Sequence, residues 1–200
     1  MIKKEILLTG LLLVVFVTHA GVNGLRIGDK APDFSLKDID GDNVSLSDYR
    51  DVKGFIIVFT CNTCPYAKAY ENRIIKLNDK YAPLGYPVIA INPNDPRLQP
   101  GDSYQAMKER ATEKGFTYPY LVDVDQEVAK SYGAVRTPQV FLLTNDLTVA
   151  YIGAIDNNYK SDEESNTKYV ENALQALMAG KPIEPNQTKA IGCGIKWRTS

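Results

Sequence analysis

The chain has 200 residues, of which 44% are hydrophobic and 24% are charged, and its formal net charge at pH 7 is −1. This length is enough for one well-packed domain and short for two. A charge so close to zero does not indicate the basic surface that nucleic acids and anionic membranes select, so neither is expected as a partner. Three cysteines are too few for a scaffold held together by disulfides, so we expect the thiols to react rather than to stabilise the fold.

The first twenty residues have the order of a secretory signal peptide. Lys3 and Lys4 precede an almost uninterrupted apolar run over residues 6–17, and small residues lead to Gly21. A retained membrane anchor is the alternative, but a helix of that run would rise only about 18 Å against a hydrocarbon core of about 30 Å. We therefore expect residues 1–20 to be removed and residues 21–200 to be secreted or periplasmic, without membrane attachment.

The rest of the chain is organised around residues 55–65. Residues 55–59 are β-branched and aromatic, which predicts a strand buried on both faces, and two cysteines follow it where a helix begins. Free amides and the positive end of the helix dipole lower the pKa of a thiol placed there. We therefore identify Cys61 and Cys64 as the candidate catalytic residues. Cys61, nearer the strand end, is expected to be the more exposed and the more acidic.

A zinc site is the alternative interpretation of Cys-x-x-Cys. Zinc needs about four ligands, whereas the other candidates are Cys193 and His19, and His19 lies in the predicted signal peptide. Without a histidine in the mature chain, catalytic triads, Cys–His pairs and histidine-based acid or base catalysis are also excluded. No metal and no cofactor are therefore expected.

Other strands and helices are predicted from the period of the apolar residues and from turn chemistry. In chain order they are a hairpin over residues 27–49, a helix over 65–83, a strand over 88–91, a helix over 102–115, an extended piece over 118–123, a helix over 126–132, two antiparallel strands over 140–143 and 149–152, and a helix over 170–177. Asp102 with Gln105 is interpreted as a capping box that opens the second helix of this series.

This order of elements is the pattern of the thioredoxin fold, with Cys-x-x-Cys at the first strand-to-helix junction. The prediction is an α/β domain with a central mixed sheet flanked by helices, an N-terminal β-hairpin and a C-terminal tail over residues 181–200. The tail carries Cys193, whose flanking glycines predict a mobile and approachable backbone. Two interpretations stay open: Cys193 is a third redox thiol that reaches Cys61 or Cys64, or it is a small buried apolar residue.

Three motifs carry a resemblance to a known family. They are Ala-Pro-Asp-Phe at residues 31–34, Phe-Thr-Cys-Asn-Thr-Cys-Pro-Tyr at 59–66 and Arg-Thr-Pro at 136–138. Together they resemble the peroxiredoxin-like branch of the thioredoxin superfamily, related to the redoxins and to alkyl hydroperoxide reductase, over nearly the whole mature chain. The resemblance implies that Cys61 is the attacking thiolate and Cys64 the resolving thiol. It also implies that Pro138 is a cis-proline whose loop, with Thr137, binds the substrate chain.

The sequence departs from the family's patterns in two places. Peroxidatic sites carry Pro-x-x-x-Thr/Ser-x-x-Cys, and counting back from Cys64 places Cys61 and Ile57 where threonine and proline should stand. Residues 55–59 also lack the buried carboxylate that thioredoxins use as a proton acceptor, so proton transfer is expected to rely on solvent or a distant acid. Pro65 adds a constraint: with Cys61 as N-cap it would crowd the first helical turn, so the turn is distorted or the helix starts later.

Three functions remain open. The favoured one is an exported thiol–disulfide oxidoreductase that uses the Cys61–Cys64 pair on protein thiols or disulfides and depends on an upstream reductant. The first alternative is an antioxidant enzyme that reduces peroxides through a cysteine sulfenic acid. The second is a redox-silent binding domain that keeps the fold with a passive disulfide.

Overall fold

A computed structural model describes residues 24–163 and 166–199 of the chain. The predicted signal peptide and its boundary at Gly21 lie outside the described residues. Within them, no helix combines the length and the apolar character needed to cross a membrane.

A seven-stranded mixed sheet forms the centre of the fold. Its strands, in spatial order, are β2 (Asn43–Ser45), β1 (Ser35–Asp38), β5 (Tyr120–Val122), β4 (Val88–Asn92), β3 (Gly54–Phe59), β7 (Gln139–Thr144) and β8 (Val149–Gly153). Strands β3, β4 and β5 are parallel to one another, and the pairs β1–β2, β1–β5, β3–β7 and β7–β8 are antiparallel.

Helices and a small second sheet complete the described part of the chain. The α-helices are α1 (Pro65–Tyr81), α2 (Tyr104–Lys114), α3 (Glu127–Tyr132) and α4 (Tyr169–Met178). The second sheet pairs β6 (Arg136–Thr137) with β9 (Cys193–Gly194) in antiparallel register.

The central strand β3 contributes to a core on each face of the sheet. Ile56 and Val58 pack in one core with residues of α1, α2 and α4. Phe55, Ile57 and Phe59 pack in the other with residues of α3 and the N-terminal hairpin. All six residues of β3 are buried, which confirms the predicted strand with two buried faces. The predicted fold, a thioredoxin-like α/β domain with a mixed sheet and an N-terminal hairpin, is likewise confirmed.

Two local predictions are wrong. Helix α2 is capped by Ser103, whose hydroxyl accepts a hydrogen bond from the Ala106 amide, so Asp102 does not cap it. The C-terminal residues do not form a mobile tail, because β9 pairs with β6 and Ile195 is buried in the core. Residues 190–198, which we name the C-terminal strap, also bond to segments that follow the carboxyl ends of β4 and β5.

Candidate active site

Cys61 and Cys64 lie between the end of β3 and the beginning of α1. The helix begins at Pro65, and Cys64 is its N-cap. Pro65 therefore occupies the first helical position, where the amide that proline lacks would have no partner within the helix. Of the two outcomes expected from Pro65, the later helix start is the one that occurs.

Thr137 contacts the sulfur atoms of both cysteines. Its hydroxyl oxygen lies 3.2 Å from the Cys61 sulfur, and its carbonyl oxygen accepts a hydrogen bond of 3.1 Å from the Cys64 thiol. Thr137 is completely buried, and its peptide bond to Pro138 is cis, as the resemblance implied. Each cysteine is only 3% exposed. The cis-proline segment therefore covers the cysteine pair directly.

Hydrogen bonds lower the pKa of the Cys64 thiol to about 5. The Cys61 thiol donates the principal one, the thiol and amide of Cys193 and the amide of Ala67 also favour the thiolate, and burial opposes it. The Ala67 amide makes no regular capping bond, but it belongs to the first turn of α1, where the helix dipole acts in the same direction. The Thr137 carbonyl opposes ionisation by accepting the proton of the neutral thiol, and the donors outweigh it.

The same hydrogen bond acts on Cys61 in the opposite sense. Donation to Cys64 raises the pKa of Cys61 above that of an ordinary thiol, and burial and the charge of Asp102 raise it further. The prediction that Cys61 is the more exposed and more acidic cysteine is therefore wrong. The physical reason is that Cys64, and not Cys61, is the N-cap of α1, so the sulfur at the helix start belongs to Cys64.

A buried carboxylate holds the dipeptide between the two cysteines. Asp102 is 1% exposed and accepts hydrogen bonds from the Asn62 amide at 2.7 Å, the Thr63 hydroxyl at 2.8 Å and the Asn94 side chain at 2.7 Å. The Tyr120 hydroxyl donates to the Asn62 side chain at 3.0 Å. Sequence analysis missed this network, although Asn94 follows the carboxyl end of a parallel strand beside β3, where sites in α/β sheets commonly form.

Cys193 lies beside Cys64. Strand β9 places Cys193 opposite Thr137, and Cys193 packs against the cluster of Cys61, Cys64 and Ala67. A pocket of about 230 Å³ is lined by the three cysteines together with Thr63, Asn94, Gln99 and Lys196. Burial, followed by hydrogen bonding to Cys64, raises the pKa of Cys193 to about 11. In the part of the chain that the structure describes, no group of three or more cysteine, histidine or acidic side chains is arranged to hold a metal ion.

Comparison with known sequences places this site in a redox family. The chain matches the AhpC/TSA family over residues 27–152. It is 30% identical over 122 residues to the thiol-disulfide oxidoreductase ResA of Geobacillus thermodenitrificans. The aligned residues are 60% of this chain and only 64% of that relative's length. It is also 30% identical over 117 residues to a Mycobacterium tuberculosis protein with the provisional name of peroxiredoxin. Here the aligned residues are 58% of this chain and 69% of that protein.

A solved structure resembles the chain over most of its length. The crystal structure of an uncharacterized conserved protein from Geobacillus kaustophilus shares 37% sequence identity with it and superimposes with a TM-score of 0.82, covering 88% of this chain and 94% of the other. The resemblance to the redoxins and to alkyl hydroperoxide reductase that the three motifs carried is thus confirmed. The chain belongs to the AhpC/TSA family and has the thioredoxin-like fold.

Proposed function

We propose that the chain is a thiol–disulfide oxidoreductase whose Cys61–Cys64 pair exchanges two electrons with a substrate disulfide. Cys64 is the attacking thiolate and Cys61 the resolving thiol, the reverse of the roles that the resemblance implied. One observation carries the proposal: Cys64 is the N-cap of α1, at the positive end of the helix dipole, and the pKa of its thiol is lowered while that of Cys61 is raised. Similarity to a relative named as a thiol-disulfide oxidoreductase supports it.

The reaction divides into two exchange steps. In the first, the Cys64 thiolate attacks one sulfur of the substrate disulfide, a Cys64–substrate bond forms, and the other substrate sulfur leaves as a thiolate. In the second, Cys61 attacks the Cys64 sulfur and expels the remaining substrate sulfur. The proton of Cys61 goes to a released substrate thiolate. The substrate gains two electrons, and the products are one substrate thiol, one substrate thiolate that takes up a proton from water, and a Cys61–Cys64 disulfide.

The pKa of Cys61 gives these two steps their order. The largest cause of the raised pKa of Cys61 is its hydrogen bond to Cys64. Once Cys64 is bound to substrate it carries no charge, so this cause is removed and the pKa of Cys61 falls. The resolving thiol therefore becomes reactive only after the attacking thiolate has been used, and this order does not need a carboxylate on β3.

Protein disulfides are the substrates that we propose, with an upstream dithiol as the reductant. Thr137 and Pro138 stay predicted substrate-binding residues, supported by the contacts of Thr137 with both sulfurs. The main chain of Thr137 is, however, already paired with β9. Substrate therefore approaches through the pocket of about 230 Å³, which has room for a projecting side chain rather than a folded segment.

Cysteine variants test the assignment of roles. Cys61→Ser and Cys64→Ser are each made in a Cys193→Ser background and incubated with glutathione disulfide. The first variant is expected to accumulate glutathione bound to Cys64, because the resolving sulfur is missing, and the second is expected to accumulate none. Intact mass and peptide mass under non-reducing conditions provide the measurement.

The Cys193→Ser protein is the matched control, and it should form the Cys61–Cys64 disulfide without retaining glutathione. Accumulation in the Cys64→Ser variant would show that Cys61 attacks first. If the control is not oxidised by glutathione disulfide at all, the pair is redox-silent and the binding-domain alternative replaces the enzyme.

Peroxide reduction is the second candidate. The favourable observation is that Cys64, the more acidic thiol, is also the residue that aligns with a peroxidatic cysteine. Its thiolate would attack the peroxide, giving a sulfenic acid and an alcohol or water, and Cys61 would then form the disulfide and release water. Cys61 replaces the family's threonine, and the loss of one such donor costs about 100-fold or more in rate. Peroxide consumption faster than disulfide turnover would favour this candidate.

We also propose that the protein functions after export, either secreted or in a periplasm. The order of basic, apolar and small residues in the first twenty positions supports this. Intact-mass analysis of the exported protein should find a mature chain that begins near Gly21. Recovery of the chain with Met1 in a membrane fraction would contradict it.

A further inference from the structure

The C-terminal strap occupies the edge of β6 that the family resemblance assigns to substrate. Cys193 is the register partner of Thr137, and Gly194 that of Arg136. Gly192 lies so close to β6 that a Cβ atom there would stand 2.3 Å from the Thr137 carbonyl oxygen. Cys193 therefore lies where a substrate cysteine would approach the Cys61–Cys64 pair.

The strap is anchored on the C-terminal side of Cys193. Beyond it, the Lys196 amide donates to the Asn94 side chain at 2.9 Å, and the Lys196 carbonyl accepts from the Asp95 amide at 2.9 Å and the Gln126 side chain at 2.9 Å. Ile195, between these bonds and Cys193, is only 6% exposed. Cys193 is therefore held beside Cys64 and does not have to be brought there by a swinging tail.

Cys64 is the sulfur that the other two cysteines share. Both Cys61 and Cys193 lower the pKa of its thiol, the three cysteines pack in one cluster, and all three line one pocket. Cys61 and Cys64 are buried, whereas Cys193 is partly exposed. A reagent from solution can therefore reach Cys193 more readily than the buried pair.

We propose that Cys193 is a third redox thiol that exchanges with the Cys61–Cys64 disulfide and carries its electrons to and from solution. The inference rests on the proposed function of that pair. The Cys193 thiolate attacks the Cys64 sulfur, the Cys61–Cys64 bond breaks, and the Cys64–Cys193 bond forms. Cys61 leaves as a thiolate and takes the proton that Cys193 lost. One disulfide replaces another, so this step needs no external oxidant or reductant.

An external dithiol then completes the cycle. Its thiolate attacks the partly exposed Cys193 sulfur and expels Cys64, the thiol with the lowest pKa of the three and so the fastest to leave. The second external thiol then attacks the reductant's own sulfur in the mixed disulfide and expels Cys193, which takes its proton, so that the three cysteines are reduced and the reductant is oxidised.

The oxidised state also favours attack by Cys193. After burial, the causes that raise its pKa are its hydrogen bond to Cys64 and the charge of Cys64, while Lys196 and Arg136 lower it. A Cys64 sulfur in a disulfide has no charge, so the two contributions of Cys64 disappear while those of the cations remain.

Peptide mapping after mild oxidation tests the exchange. Trypsin leaves Cys61 and Cys64 together in residues 54–68 and Cys193 in residues 190–196. The oxidised protein is alkylated at low pH and digested without reductant. The two peptides are expected to be linked in the wild type and in Cys61→Ser, and not in Cys64→Ser. Absence of the link in Cys61→Ser, or an equal yield in Cys64→Ser, would overturn the inference.

A pair of glycine variants tests the geometry. Gly192→Ala introduces a Cβ against Thr137 and should lift the strap, whereas Gly194→Ala is the matched control because nothing lies within 4 Å of its Cβ. The yield of linked peptides should fall severalfold in Gly192→Ala alone, with both proteins shown to be folded by circular dichroism. Equal yields in the two variants would contradict the inference.

Reduction kinetics separate this inference from the proposed function. In Cys193→Ser the Cys61–Cys64 disulfide should still form, but its reduction by dithiothreitol should be slower by about tenfold or more, because the buried pair must react directly. The conservative Ile191→Val change in the same strap should leave the rate unchanged. If Cys193→Ser forms the disulfide and is reduced at the wild-type rate, the inference fails while the proposed function stands. If no disulfide forms in Cys193→Ser, the proposed function fails.

Discussion

The acidity of Cys64 gives the most direct test of the site. With a pKa of about 5 in place of 9.0, Cys64 should be about 99% thiolate at pH 7, whereas an unperturbed thiol would be about 1%. The rate at neutral pH is a poor measure of this difference, because nucleophilicity falls with pKa at a Brønsted slope of about 0.4–0.5 and offsets most of the roughly hundredfold gain. The midpoint of the pH profile is the informative quantity.

Removal of the main donor should shift that midpoint. A hydrogen bond to a charged group is worth about 1.5–3 kcal/mol, and one pKa unit corresponds to about 1.36 kcal/mol. Cys61→Ala removes the thiol that donates to Cys64, so the pKa of Cys64 should rise by about 1–2 units. Cys61→Ser keeps a donor at the same position and should leave the pKa close to the wild-type value.

The assay is the rate of iodoacetamide labelling of the reduced protein as a function of pH, with the labelled cysteine identified by peptide fragmentation. Cys193, with its pKa raised to about 11, should stay protonated through the acidic and neutral range. A Cys64 midpoint near 8.5–9, or preferential labelling of Cys61 at low pH, would refute the reasoning. Equal midpoints in Cys61→Ala and Cys61→Ser would show that the Cys61 thiol is not the donor that matters.

Three further predictions concern stability and the support of the site. The pKa of Cys64 is lower in the folded protein than in the unfolded chain, so its contribution to the free energy of unfolding is complete above about pH 9 and is lost as the pH falls towards 5. In thermal melts, the melting temperature of the reduced wild type should therefore rise from pH 5 to pH 8 relative to that of Cys64→Ser. Asp102→Asn turns an amide donor towards at least one of the three groups that donate to Asp102, so chemical denaturation should show that the free energy of unfolding falls by about 1–3 kcal/mol. The pKa of Cys61 should fall as well, because the charge of Asp102 raises it. Tyr120→Phe removes a single hydrogen bond to Asn62 and should cost less stability. Asp156→Ala removes the carboxylate that pairs with Arg73 at 2.5 Å, where both side chains are under 10% exposed, and should lower the free energy of unfolding by about 3 kcal/mol or more. The control is Asp146→Ala, which removes an exposed ion pair with Lys30 and should change stability little.

Much of the fold could be predicted from the sequence because its patterns are local. The strand at residues 55–59, the hairpin over residues 27–49 and the helix over residues 65–83 were each predicted from residues a few positions apart, and the periods of two and 3.6 are properties of the backbone. Even the later start of α1 had a sequence signal, since Pro65 is suited to the first position of a helix and not to its fourth.

The chemistry of the site depended on tertiary structure. Asp102 lies far along the chain from Asn62, and its carboxylate reaches the cysteine loop only because β3 and β4 are neighbours in the sheet. A short polar residue before a helix is equally consistent with a cap, so its local pattern could not reveal that contact.

The acid–base order of the cysteines likewise needed the folded chain. By itself the sequence determined that two cysteines follow a buried strand at the start of a helix, in a chain that resembles the redoxins. Only the tertiary structure decided that the pKa of Cys64 is lowered while that of Cys61 is raised, and that Cys193 lies beside Cys64. The reason is that a thiol's pKa depends on the donors around it, and one of those donors comes from a strand at the opposite end of the chain.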